Sequence, residues 1–228
     1  FEAGRVFLRD ASVRDGPLEV AGLRQPMRIA AVASGTAFEE QWGAKPRPVD
    51  FYDLKADVEA LFAPRAVRFE PAAYPAFHPG RSARIRVDGQ DVGWLGELHP
   101  QWQRKYELSQ GVICFEVDAA ALQVAPLPEV SLPSRFPPVT RDIALLVDAN
   151  VGVQQLLDAI VTERPRIVQD VHLFDLYQGP NLPGGKKSLA FRVVMEETER
   201  TLTDAEADSA RDALVALWGR RFAATLRT

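Results

Sequence analysis

The side chains with the most chemical reach gather in the last quarter of the chain. Phe174 and Tyr177 lie three residues apart, Lys186 and Lys187 follow a run of glycine and proline, and Arg192 comes next. Rings and cations side by side can stack flat ligands and meet negative charge. Each residue also has a plainer reading. By pattern alone Tyr177, close to Gly179, reads as a half-buried sheet tyrosine. Lys186 and Lys187 on a Gly-rich tip read as solvated charge, and gain meaning only beside Tyr177 or Arg192. Phe174 and Tyr177 have opposite parity, so a regular strand shows them to opposite faces. A one-residue bulge would change that assignment, and the sequence leaves both arrangements open.

These residues need elements to hold them. From Ser134 onward the chain reads β-α-β-β-α-β, a split-βαβ or ferredoxin-like order. The first strand is Asp142 to Asp148, with Ile143, Leu145 and Val147 on one side. A helix from about Val153 to Arg164 is closed by Pro165. Val168 to Gln178 and Ser188 to Glu197 are the next strands. Thr203-Asp204-Ala205-Glu206 is a capping box opening a helix with Ala207, Ala210, Leu214, Leu217 and Trp218 on its apolar face. Ala224 to Arg227 is the last, edge strand. Two helices on one face of a four-stranded sheet leave the other face open, the arrangement on which single-stranded bases stack.

The first half reads as antiparallel sheet with a few packed helices. Asp50 caps a helix to Phe62 whose apolar face is Phe51, Leu54, Val58, Leu61 and Phe62. Asp88-Gly89 is a hairpin signal between Ala83–Val87 and Val92–Leu98. Residues 1–125 therefore form one domain and 134–228 a second. A proline-rich linker, 126–133, holds Pro126, Pro128 and Pro133, and proline stiffens a connection while refusing helix. Phe1 falls in mid-strand, so the chain reads as the C-terminal piece of something longer.

Composition narrows the classes. The chain has 228 residues and a net charge of −4, so any nucleic-acid contact must come from a local patch. The only cysteine, Cys114, sits in an apolar run and reads as a small buried hydrophobe, in keeping with a reducing cytoplasm. No apolar run of about 18 residues predicts a membrane span. His78, His99 and His172 lack ligand spacing, and there is no phosphate loop, zinc pattern or nucleophile elbow.

Several stretches resemble a known family. Phe136-Pro137-Pro138-Val139-Thr140-Arg141-Asp142-Ile143-Ala144, Phe174-Asp175-Leu176-Tyr177-Gln178-Gly179, Lys187-Ser188-Leu189-Ala190-Phe191-Arg192 and Arg200-Thr201-Leu202-Thr203-Asp204 resemble the ferredoxin-fold anticodon-binding domain of the bacterial phenylalanine–tRNA ligase β subunit. Val49-Asp50-Phe51-Tyr52-Asp53-Leu54-Lys55, His78-Pro79-Gly80-Arg81-Ser82-Ala83 and Gly93-Trp94-Leu95-Gly96-Glu97-Leu98-His99-Pro100 resemble the class II synthetase-like core before it. The resemblance implies an α+β chain: a non-catalytic antiparallel-sheet class II synthetase-like domain, then a ferredoxin-like βαββαβ domain. It implies tRNA(Phe) and a catalytic α subunit as partners, in an α2β2 heterotetramer, with no DNA and no membrane. ATP and magnesium belong to the α subunit, and this part needs no cofactor of its own. It points to Tyr177 as the aromatic on which an anticodon base stacks, with Phe174 beside it. Arg141, Arg192, Lys186 and Lys187 follow as candidates for phosphate or base-edge contact. The alternative is a protein-interaction module whose open sheet face is covered by a partner protein.

Overall fold

The computed structural model describes residues 1–122 and 134–227. The linker expected at 126–133 lies outside the described residues. The chain divides into two compact units, one within Phe1–Glu129 and one within Val130–Thr228.

The first unit contains β1 (Glu2–Arg5), β2 (Leu8–Arg9), β3 (Leu23–Arg24), β4 (Met27–Ser34), α1 (Phe51–Phe62), β5 (Val67–Pro71), β6 (Phe77–Val87), β7 (Gln90–Leu98), α2 (Pro100–Lys105), β8 (Val112–Asp118) and α3 (Ala119–Leu122). Six of its strands form one antiparallel sheet in the order β1-β4-β8-β7-β6-β5. α1 starts where Asp50 accepts from the backbone N–H groups of Tyr52 and Asp53, and Asp53 returns the bond to the Asp50 N–H. That reciprocal cap satisfies donors a helix start otherwise leaves orphaned. Leu54, Val58 and Phe62 of α1 then bury against Ile85, Leu95, Phe115 and Val117. The turn at Asp88-Gly89 has positive φ at both residues, 50° and 78°, as a tight two-residue hairpin requires. Gly93 has a packing reason: a Cβ there would lie 2.0 Å from the Glu116 carbonyl oxygen. The histidines are structural here. His78 Nδ1 accepts from the Gly80 N–H, and His99 caps α2 through the Gln101 N–H.

The second unit contains β9 (Val139–Asp148), α4 (Val153–Glu163), β10 (Val168–Tyr177), β11 (Lys186–Met195), α5 (Asp204–Phe222) and β12 (Thr225–Leu226). Its antiparallel sheet runs β10-β11-β9-β12. Ile143, Leu145 and Val147 of β9 and Leu189, Phe191, Val193 and Met195 of β11 share one parity and one face. They form a core with Leu156 and Ile160 of α4 and Ala207, Ala210, Leu214, Leu217 and Trp218 of α5. Trp218 stacks on Phe191, ring centroids 5.2 Å apart, and donates its indole N–H to the Leu156 carbonyl at 3.0 Å. One side chain thus ties α5 both to the sheet and to α4. Fully burying such a residue contributes several kcal/mol, of which the transfer of its apolar area is about 25 cal/mol per Å².

Candidate functional site

The even-numbered residues of β9 and β11 face away from the helices. Register places them in rows across the sheet. Tyr177, Ser188, Leu146 and Thr225 form one row, Asp175, Ala190 and Ala144 the next, and His172, Arg192 and Asp142 a third. Ala144, Ala190 and Ser188 are small, so the middle of this face is a low floor flanked by taller side chains.

The bulge decides which aromatics stand on it. Leu173 pairs with Phe191 and Asp175 pairs with Ala190, leaving Phe174 as the extra residue of β10. Val171 and Leu173 pack on the core, whereas Asp175 and Tyr177 pair with Ala190 and Ser188 on the open face. In a bulge the extra residue and its successor point to roughly the same side. Phe174 accordingly meets Arg192, whose guanidinium lies 5.2 Å from its ring centroid. The two aromatics of opposite parity share the open face. A regular strand could not have done this.

Each ring carries a cation. Arg227, just after β12, places its guanidinium 5.0 Å from the centroid of Tyr177. Its backbone is anchored by donation to the Ala144 carbonyl at 2.8 Å. Gly179 sits at the phenolic end of Tyr177, where a Cβ would come within 2.4 Å of the phenolic oxygen. Arg192 is held by two hydrogen bonds to Asp142, both 2.8 Å. That pairing keeps the Asp142 carboxyl below the usual carboxylate range, with the neighbouring His172 adding a smaller effect. His172 bonds Asp170 at 2.9 Å, and Lys186 pairs with Asp148 at 2.8 Å at the end of the face. Arg192, Arg227 and Lys186 thus stand among Asp142, Asp148, Asp170 and Asp175. The face has little net charge, and its rings outweigh its cations.

The structure does not bring all six expected residues together. Tyr177, Phe174, Arg192 and Lys186 lie on the open face. Arg141 lies on the helix side, donating to Asp208 at 2.9 Å and Asp204 at 2.6 Å on the first turns of α5. Lys187 is buried on that same side, its ammonium donating to the Ala149 carbonyl at 3.0 Å. Their parity carried the signal, since Arg141 alternates with Ile143 and Leu145, and Lys187 with Leu189. Arg227 also stands on this face, and the sequence does not mark it, because an arginine after a two-residue strand follows no pattern.

The first unit also has an open sheet face. Tyr74, Phe77, Trp94 and Leu98 line a cavity there of about 530 Å³, floored by Cys114 and Glu116. Burial pushes the Cys114 thiol up, so it is a poor nucleophile. Fixed cations that meet ATP phosphates must be free to do so. Arg84 instead pairs with Asp91 and lies over Trp94 at 5.2 Å, Arg86 bridges Glu70 and Asp91, and Arg28 faces Glu116. Among the described residues, no cluster of three or more His, Cys, Asp or Glu is placed to hold a metal, and no helix is long and apolar enough to cross a membrane.

A four-stranded antiparallel sheet in βαββαβ order with both helices on one face is a ferredoxin-like fold, and residues 134–227 match the family described as the ferredoxin-fold anticodon binding domain. Residues 1–119 match the phenylalanyl tRNA synthetase beta chain CLM domain. The chain is 48% identical over its whole length to the phenylalanine–tRNA ligase beta subunit of Dechloromonas aromatica, covering 28% of that protein. It is 53% identical over 94% of its length to the beta subunit of Burkholderia lata, again 28% of that protein. It is 50% identical over 94% of its length to the beta subunit of Aromatoleum aromaticum, 27% of that protein. The chain belongs to the phenylalanine–tRNA ligase β-subunit family and spans a little over a quarter of these relatives.

Proposed function

We propose that this chain serves phenylalanine–tRNA ligase by binding the anticodon of tRNA(Phe) and by scaffolding the catalytic subunit, without catalysing. The complete enzyme, an α2β2 heterotetramer of the cytoplasm, attaches phenylalanine to tRNA(Phe), and its α subunit supplies the site for ATP and magnesium. The observation that carries the RNA half is the position of Tyr177, on the helix-free face, with Gly179 at its phenolic end and Arg227 beside its ring. A ring held on a nearly neutral face recognises a base by stacking, whatever the charge of the whole chain. The paired state of Arg28, Arg84 and Arg86 supports the non-catalytic role of the first unit.

The test is Tyr177→Ala in the complete ligase. A base–aromatic stack lost is about 1–3 kcal/mol, or about 5- to 150-fold in the KM for tRNA. Phenylalanine activation, followed by ATP–pyrophosphate exchange, stays near wild type. Unchanged tRNA kinetics would remove Tyr177 from the interface. Robust exchange by the β subunit alone would overturn the non-catalytic reading of the first unit.

A further inference from the structure

The open face of the second unit holds two ring–cation pairs, and one stacked base accounts for only one of them. Tyr177 has Arg227 at 5.0 Å, and Phe174 has Arg192 at 5.2 Å. The second pair is as deliberately held as the first. Arg192 takes both oxygens of Asp142 at 2.8 Å, and the bulge turns Phe174 out of the core register toward it. Phe174 stays 49% exposed, so its ring is accessible on this face.

Resting on the anticodon reading above, we propose that Phe174 with Arg192 is a second base-stacking station, which takes a second, splayed nucleotide of the same RNA strand. The chemistry is that of a flat base against a ring whose orientation is fixed. Arg192 holds one side of Phe174, and the exposed side receives the base. Because Asp142 neutralises it, Arg192 is not available as a phosphate cation. It offers instead a planar, weakly hydrated surface, for which a lysine ammonium would be no substitute. His172, opposite Arg192 in register, is turned to Asp170.

Spacing sets the form of the ligand. Phe174 and Tyr177 are three residues apart on one strand paired on both sides of the bulge, which sets their Cα atoms roughly 10 Å apart at about 3.3 Å per residue. This exceeds the ~3.4 Å rise between bases stacked on each other in a helical strand. One strand occupying both stations therefore has its bases parted, each on its own ring. That is the single-stranded loop conformation in which sequence-specific RNA recognition operates.

The experiment uses the complete ligase and tRNA(Phe) carrying 2-aminopurine at one anticodon-loop position at a time. Stacking on a ring changes the probe's fluorescence on binding. In the wild type two positions respond. Phe174→Ala abolishes the response at one, leaves the other, and weakens tRNA binding about 5- to 100-fold. Tyr177→Ala does the converse. Phe174→Leu, which keeps apolar bulk, behaves like the alanine variant, and Phe174→Tyr restores the response. If Phe174→Ala leaves every response unchanged, or Phe174→Leu restores them all, the station does not exist, and Tyr177 remains the single stacking residue. If Tyr177→Ala also changes no response, the anticodon reading itself fails and the second station falls with it.

Discussion

Arg227 and Tyr177 belong to opposite edges of one sheet, yet the guanidinium of the first lies 5.0 Å from the ring centroid of the second. β12 pairs with β9, and β10 with β11, so the contact crosses the floor made by Ala144, Ala190 and Ser188. Larger side chains at those positions would stand between the two. Removing the arginine frees the ring. Arg227→Ala in the complete ligase is expected to raise the KM for tRNA about 2- to 30-fold, the range of a partly desolvated cation–π contact. Arg227→Lys recovers only part of this, because an ammonium is not a plane. Aminoacylation kinetics measure it, and an unchanged KM for both variants would separate Arg227 from the interface.

The face balances Arg192, Arg227 and Lys186 against Asp142, Asp148, Asp170 and Asp175, so RNA binding there is expected to rest on stacking. Counterion release scales with phosphates neutralised, and a stack neutralises none. The affinity ratio of wild type to Tyr177→Ala is therefore expected to be the same at low and high salt. Filter binding or anisotropy across a salt series shows this as two parallel lines. Lines that converge at high salt would mean that Tyr177 acts by organising phosphate contacts.

The two sides of the sheet predict two kinds of variant. Arg141→Ala removes the link from β9 to Asp204 and Asp208 at the start of α5. Lys187→Ala removes a buried donor to the Ala149 carbonyl. Both are expected to lower the melting temperature of the β subunit while leaving the KM for tRNA unchanged at a permissive temperature. Arg192→Ala does the reverse, changing tRNA kinetics with little effect on melting. A thermal melt beside the kinetics distinguishes them.

Acid should act on the first unit through α1. The Asp53 carboxyl is lowered to about 2, first by the hydrogen bonds from Arg47 and then by the Asp50 N–H. A depressed carboxylate gives stability that is complete above its unfolded value near pH 4 and is lost as pH falls toward 2. Asp53→Asn is expected to be less stable than wild type at pH 7, with the difference shrinking below about pH 4. Denaturant unfolding followed across this window checks the sign. A gap that widens in acid would contradict it.

Much of the fold was legible because local chemistry marks its boundaries. Asp50, Thr203 and Pro165 delimit helices, and Asp88-Gly89 turns a hairpin, with each signal acting over a few residues. The alternation of Ile143, Leu145 and Val147 likewise announces which side of β9 is buried. That same alternation put Arg141 and Lys187 on the helix side, so their place was readable from parity. The bulge at Phe174 was not readable. It is a mismatch between β10 and β11, and exists only once Leu173 pairs with Phe191 and Asp175 with Ala190. The Arg227–Tyr177 contact depends on three strand pairings at once, and no local pattern encodes it.

RNA is expected to meet the helix-free face of the second unit. Ultraviolet cross-linking of tRNA(Phe) to the complete ligase, followed by peptide mapping, tests it most directly. Cross-links are expected on the β10 peptide carrying Phe174 and Tyr177, lost in Tyr177→Ala and Phe174→Ala together. Cross-links confined to α4 or α5, or a β10 peptide shielded by protein with no RNA attached, would contradict it.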